Sequence, residues 1–172
     1  IDFRYDDTHP MAGSHTQKIV VIDDRIAFAG GIDLSSKRWD SPAHAPDDPR
    51  RTFLGEPYPP MHDAMSLVDG EAARALSGVV RSRWEAATGE TLHPIDVPGD
   101  GWPEGVPVHL QDVACAVACT SAACAERGSV REIERLYLDM IAAAKRYIYI
   151  ENQYFTSQAI AEFAARAPGT QF

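Results

Sequence analysis

Four β-branched residues follow one lysine without a break in Lys18-Ile19-Val20-Val21-Ile22, and Asp23-Asp24-Arg25 comes directly after them. Ile26-Ala27-Phe28-Ala29 then runs back towards Gly30-Gly31. Stiff side chains of this kind favour extended backbone, and an unbroken apolar run suits a strand covered on both faces. The polar triplet supplies a turn, so 17–34 predicts a β-hairpin. Whatever the chain folds into must be built against that hairpin.

The remainder alternates between regular and irregular signals. Prolines 42, 46, 49, 57, 59 and 60 break every period between Ser35 and Pro60, which predicts a long loop of the kind usually tied to function. Met61 to Val68 resumes as a strand, and Glu71 to Ala87 has helical spacing. Ala73, Leu76, Val80 and Trp84 share one face of that helix, with Arg74, Arg81 and Glu85 outside it and Gly89 as terminator. A Pro/Gly-rich stretch over 93–106 reads as a linker. Beyond it, Val106 to Val117 is expected as a strand and Val130 to Ala144 as a helix with Ile133, Leu136, Met140, Ile141 and Ala144 inward. Arg146 to Ile150 is expected as a buried strand, and Ser157 caps a helix running through Ala165. The alternation predicts an α/β fold with a mixed sheet flanked by helices.

Composition narrows the function. The 172 residues carry 16 Lys+Arg against 25 Asp+Glu, a formal net charge of −9, which disfavours a nucleic-acid partner. Mean hydropathy is −0.25, and no apolar run nears the ~20 residues of a membrane-spanning helix, so a soluble chain is expected. Its compartment is not legible. Cys115, Cys119 and Cys124 fall in one short stretch, a poor disulfide framework with no zinc-ligand spacing around it. Ile1 is not an initiator, and the sequence stops just after a helical pattern, so a piece of a longer protein is expected.

Ser14-His15-Thr16-Gln17-Lys18 through Asp23, trailed by Gly30-Gly31-Ile32-Asp33, resembles the HxKx4D signature of the phospholipase D superfamily. Arg38-Trp39-Asp40, Pro60-Met61-His62-Asp63 and Glu151-Asn152-Gln153-Tyr154-Phe155 resemble the flanking blocks of phosphatidylcholine-type phospholipases D, in the same order. The resemblance implies a phospholipase-D-like fold. Residues 1–92 would be the later part of a first domain, 93–106 a linker, and 107–172 the start of a second. It also implies cleavage or transfer at a phospholipid headgroup ester through a phosphohistidine, with no metal and no cofactor. One imidazole then attacks phosphorus and another protonates the leaving alcohol, while cations steady the phosphoryl oxygens.

On that pattern Lys18 holds the phosphate, Asp23 and Asp33 support it, and Gly30 and Gly31 let backbone approach closely. Residues two apart on a strand share a face, which is what an H-x-K spacing requires. The nucleophile position, however, is Thr16, whose hydroxyl is weak without a positioned base. His15, one residue earlier, falls on the opposite face from Lys18 by strand parity unless a bulge turns it. A second HxKx4D is absent from these residues, so the other half of the parent chain is the expected partner for a complete site. Little or no turnover is therefore expected of this chain alone.

Simpler readings stand beside these. Lys18 by itself suits an edge-strand lysine that blocks aggregation, although its register with Asp23, Gly30 and Asp33 favours the phosphate role. His62 and Asp63 either line the substrate site or form a surface turn. Glu151 and Gln153 end a strand, where ligand-facing residues gather in α/β sheets, or else satisfy nearby backbone donors. Trp39, Tyr58 and Trp102 offer aromatic contact to a membrane surface. Arg50-Arg51 offers charge to anionic headgroups, against neighbouring Asp47 and Asp48. A degenerate phospholipid-binding fragment and a cardiolipin-synthase-like phosphatidyltransferase are the alternative functions.

Overall fold

The computed structural model describes residues 1–11, 13–99, 101–124 and 127–166. They divide into two compact units, one of residues 1–7 and 15–117, the other of 8–14 and 118–172.

In the first unit the expected hairpin is present. Strand β1 (Lys18–Ile22) pairs antiparallel with β2 (Ile26–Gly30), Lys18 opposite Gly30 and Ile22 opposite Ile26. Asp23 and Asp24 make the turn at φ of 55° and 53°, left-handed backbone that Asp tolerates better than most residues. Within the loop, two-residue strands β3 (Thr52–Phe53) and β4 (Glu56–Pro57) form a small ladder. Strand β5 (Met65–Asp69) then adds to the free edge of β2, giving the order β1-β2-β5. Helix α1 (Gly70–Thr88) follows at once and ends on Gly89, at φ 74°, whose N–H returns to the Glu85 carbonyl.

Register explains where the core sits. Ile19, Val21, Ala27, Ala29 and Val68 lie on one face of the sheet, and Ala73 and Leu76 of α1 pack onto it with Val117. Ala27 and Ala73 are fully buried, so helix and sheet approach closely through two small side chains. Lys18, Val20 and Ile22 point to the other face. The strand expected to be covered on both sides is only half-buried, because it stands at the sheet edge among the described residues with β2 as its one neighbour. The described strands are all antiparallel, so the α/β character is present without the expected mixed sheet.

A single carboxylate closes the hairpin turn. Asp24, 9% exposed, takes Arg81 Nη1 of α1 at 2.6 and 2.7 Å and the Ile95 backbone N–H at 2.9 Å. Burial works to raise its pKa, but the Ile95 and Arg81 hydrogen bonds outweigh that and leave it lowered. The Pro/Gly stretch thus reaches back to the hairpin, and Trp102 Nε1 donates to the Val106 carbonyl within it at 2.8 Å.

In the second unit, β6 (Thr120–Ser121) pairs with β7 (Val130–Arg131), and α2 (Glu132–Ala143) packs against α3 (Gln158–Arg166). The Ser157 hydroxyl accepts the Ile160 N–H at 3.4 Å, as expected of a cap. Three expectations fail over the later part of the chain, the first of them at the end of the first unit. Residues 106–117 form no strand, and neither do 146–150, where Tyr147 and Tyr149 are 84% and 79% exposed. No described strand offers either segment a ladder, and without one a β-prone run has nothing to bond to. Of the inward set on α2 only Ile141 is buried; Ile133, Leu136 and Met140 are exposed, since α3 and the short strand β6 cover only part of that helix.

Candidate functional site

The hairpin brings Lys18 and Asp33 together. Lys18 Nζ lies 3.1 Å from Asp33 Oδ1 and donates to the Thr16 carbonyl oxygen at 3.0 Å. Arg38 Nη2 meets the other carboxylate oxygen, Oδ2, at 3.4 Å. The Lys18 hydrogen bond, aided by Arg38, holds the Asp33 carboxyl below its ordinary value against partial desolvation. An ammonium has three donors, and two of those on Lys18 are thereby assigned. Arg38 Nε is shut off from solvent and has no hydrogen-bond partner among the described residues, a state that costs free energy until an acceptor meets it.

The residues just before β1 are held by Asp6 and Arg83. His15 Nε2 lies 3.3 Å from Asp6 Oδ2, and Arg83 Nε reaches the same oxygen at 3.0 Å. Gln17 Oε1 accepts from Arg83 Nη1 at 2.6 Å. Residues 15 and 17 therefore turn towards Asp6 and Arg83, while Thr16 is exposed and its backbone carbonyl takes the Lys18 ammonium. Asp23 is exposed in the turn. The carboxylate that anchors this turn is its successor Asp24, which sequence reading missed.

The two glycines are explained by close approach. A Cβ on Gly30 would overlap the Ala64 carbonyl and lie 2.6 Å from Met65 Cα, closer than real contacts allow. On Gly31 it would overlap the Asp63 carboxylate, and the Gly31 N–H donates to the Ala64 carbonyl at 3.0 Å. Gly30 and Gly31 thus admit the segment that carries His62 and Asp63. That segment is tied down from within the proline-rich loop. Asp40 accepts the Met61 N–H at 2.8 Å, the Ser41 N–H at 2.8 Å, His44 Nδ1 at 2.9 Å and Arg51 Nη1 at 2.8 Å. Desolvation pushes its pKa up, but His44, the two backbone donors and Arg51 together carry it far below the usual carboxylate range.

Arg51 is 1% exposed, with its remaining donors on the carbonyls of Ala45, Pro46 and Tyr58. This corrects the expectation that Arg51 faces anionic headgroups: it is a buried tie, held by four donor contacts inside the loop. Asp40 and Arg51 form the second pair that sequence reading missed. His62 stacks edge-on to His44 with ring centroids 5.8 Å apart. Asp63 Oδ1 accepts the Ala64 N–H at 2.7 Å. Arg38, Asp40, His44, Met61 and Asp63 line a shallow cavity of about 220 Å³.

Trp39, which lies under the Arg50 guanidinium at 5.3 Å, is half-exposed, and the Tyr58 hydroxyl donates to its carbonyl at 3.0 Å. In the second unit, Glu151 accepts the Tyr149 hydroxyl at 3.0 Å, and both Glu151 and Gln153 are exposed. The cysteines are all free thiols; burial and then Glu132 raise the Cys119 pKa. Among the described residues no helix is long and apolar enough to cross a membrane.

No family model matches the chain. Similar curated proteins do exist. Phospholipase D alpha 2 of Oryza sativa subsp. japonica is 28% identical over 210 residues, which covers 91% of this chain and 25% of that protein. Phospholipase D A of Dictyostelium discoideum is 29% identical, over 86% of this chain and 14% of its own length. Phospholipase D1 of Schizosaccharomyces pombe is 26% identical, over 87% and 14%. The chain therefore spans about a quarter or less of the length of these relatives. The resemblance read from the sequence extends across plant, slime-mould and yeast proteins, and the chain is phospholipase-D-like.

Proposed function

We propose that this chain is part of a phospholipase D-type phosphodiesterase or transphosphatidylase acting on phospholipid headgroup esters, and that it carries the phosphate-holding side of the first half-site. The observation that carries this reading is the Lys18 ammonium, fixed 3.1 Å from Asp33 where the glycine-shaped hairpin meets the His62-Asp63 segment. On this reading Lys18 takes a phosphoryl oxygen, Asp33 and the Asp23 turn hold the lysine in position before phosphate arrives, and Glu151 and Gln153 belong to the substrate lining. Residues 93–106 link two phospholipase-D-like domains, and the second signature lies in the remainder of a parent chain.

The same geometry argues against turnover by this chain alone. Thr16, at the nucleophile position, supplies no imidazole, and His15 is engaged with Asp6. A threonine hydroxyl without a base forms no phosphohistidine equivalent at a useful rate. The test presents the purified chain with phosphatidylcholine vesicles and follows both bound protein and released phosphatidic acid. Saturable binding without product, weakened about tenfold by Lys18→Ala on the scale of a lost charge-assisted contact, is the expected result. Sustained release of phosphatidic acid would refute the inactivity. Binding indifferent to Lys18→Ala would remove the phosphate role.

A further inference from the structure

Asp33 is shared between two cations. Lys18 holds one carboxylate oxygen and Arg38 the other, at 3.1 and 3.4 Å. A phosphate ester presents the same pattern, two anionic oxygens on one centre, and ammonium and guanidinium groups bind it by the same charge-assisted hydrogen bonds. We propose that Asp33 is a resident anion in a phosphate seat built by Lys18 and Arg38, and that it swings aside when a phosphate group enters. This rests on the reading of Lys18 as a phosphate ligand and adds Arg38 as the second cation of that seat.

Three further observations support it. Arg38 Nε is buried and makes no hydrogen bond among the described residues, so the guanidinium has a donor that Asp33 does not use. Arg38 also lines the shallow cavity together with two other carboxylates, of which Asp40 is already committed to Arg51, His44 and two backbone N–H groups, and Asp63 accepts the Ala64 N–H. The Asp33 side chain is 43% exposed, so it has solvent to move into without disturbing the core. No covalent step is involved: one anion replaces another on the same two cations.

Calorimetric titration of the whole chain tests the idea with two probes, inorganic phosphate and monomeric dihexanoylphosphatidylcholine. Asp33→Asn keeps the shape and removes the competing charge, so it is expected to tighten binding about tenfold, the scale on which a neighbouring charge shifts an equilibrium at a partly exposed site. Arg38→Gln is expected to weaken wild-type binding by a similar factor and to remove most of the gain from Asp33→Asn when the two are combined. Asp33→Ser repeats the first arm should the asparagine variant fold poorly.

Tightening towards inorganic phosphate and lipid alike assigns the seat to any phosphate group. Tightening for the lipid alone assigns it to the diester headgroup. Either result supports the inference. Asp33 variants that bind no better than wild type, or that show no binding at all, overturn it, and so does an Arg38→Gln protein that binds like wild type. If Lys18→Ala still weakens binding in those cases, the phosphate role of Lys18 survives and only the displacement by Asp33 and the part of Arg38 are lost.

Discussion

Lys18–Ile22 and residues 146–150 each follow one basic residue with four strand-favouring side chains, all β-branched in the first and alternating Tyr and Ile in the second, and both read as strands. Only the first is one. Its partner begins four residues after it ends, across a tight turn, and α1 then covers Ile19 and Val21. The run at 146–150 has no ladder among the described residues and leaves its tyrosines exposed. Strand propensity is a statement about fit to a pleated, half-buried surface. Where that surface is supplied locally the sequence signal suffices, and where it must come from elsewhere the same signal has no outcome of its own.

The contrast is sharpest in the cores, and that is where it is most easily broken. Leu76→Ala removes a side chain 8% exposed beneath the sheet and is expected to cost about 3 kcal/mol by urea unfolding. Leu136→Ala, on a helix where that leucine is 46% exposed, should cost less than about 1 kcal/mol. Equal losses would mean that the second unit has a core the exposed faces conceal. Gly30→Ala comes next. Its Cβ meets fixed backbone at Ala64 and Met65, so a loss of about 2 kcal/mol and weaker amide protection of β5 are expected. Gly31→Ala meets only the movable Asp63 carboxylate and should cost less.

Gly89→Ala, at φ 74° on the α1 cap, is expected to cost about 1 kcal/mol, read from the same unfolding curves. Smallest in stability is Tyr149→Ser in the exposed run. It should leave the unfolding midpoint unchanged while slowing the growth of turbidity on storage, since an unpaired apolar segment is a template for association.

Acid sharpens the comparison in another way. Asp24, Asp33 and Asp40, all in the first unit, have folded-state pKa values below the ordinary 3.8. Groups lowered in this way contribute stability that is complete above the unfolded value and lost as pH falls below it. The first unit should therefore hold steady from pH 7 to about 4 and weaken below that, as followed by amide exchange or near-UV dichroism. Loss beginning near pH 6 would point to the histidines instead.

What the sequence revealed was local. The hairpin, α1 with its Gly89 terminator, α2 and the Ser157 cap each depend on residues within a turn or two of one another, and each is present. Lys18 and Asp33 were legible as a pair because a strand, a tight turn and two glycines leave few ways to arrange them. The ties were not legible. Asp24 rather than Asp23 seals the turn through residues 57 and 71 positions away, and Asp40 with Arg51 braces the proline-rich loop from 11 apart. Adjacent aspartates have the same composition signal, and only the buried partner distinguishes them. The expected reach of Arg51 to headgroups failed for the same reason: charge on paper says nothing about which arginine is inside.

The Asp24 tie also bears on the order in which the first unit assembles. Strands β1 and β2 are neighbours in sequence and can pair as soon as both exist, at the cost of closing a short loop. The carboxylate at their turn acquires the Arg81 guanidinium and the Ile95 amide only after 57 and 71 further residues have been brought back to it. Loop closure over that span grows slowly with length but gains nothing until the contact is made. The hairpin can thus pair before its acidic tip is sealed, and of the two contacts the Ile95 amide is the later to become available along the chain. Until residue 95 has been synthesised and folded back, the tip of the hairpin remains solvated, and the unit has its strands in register without its seal.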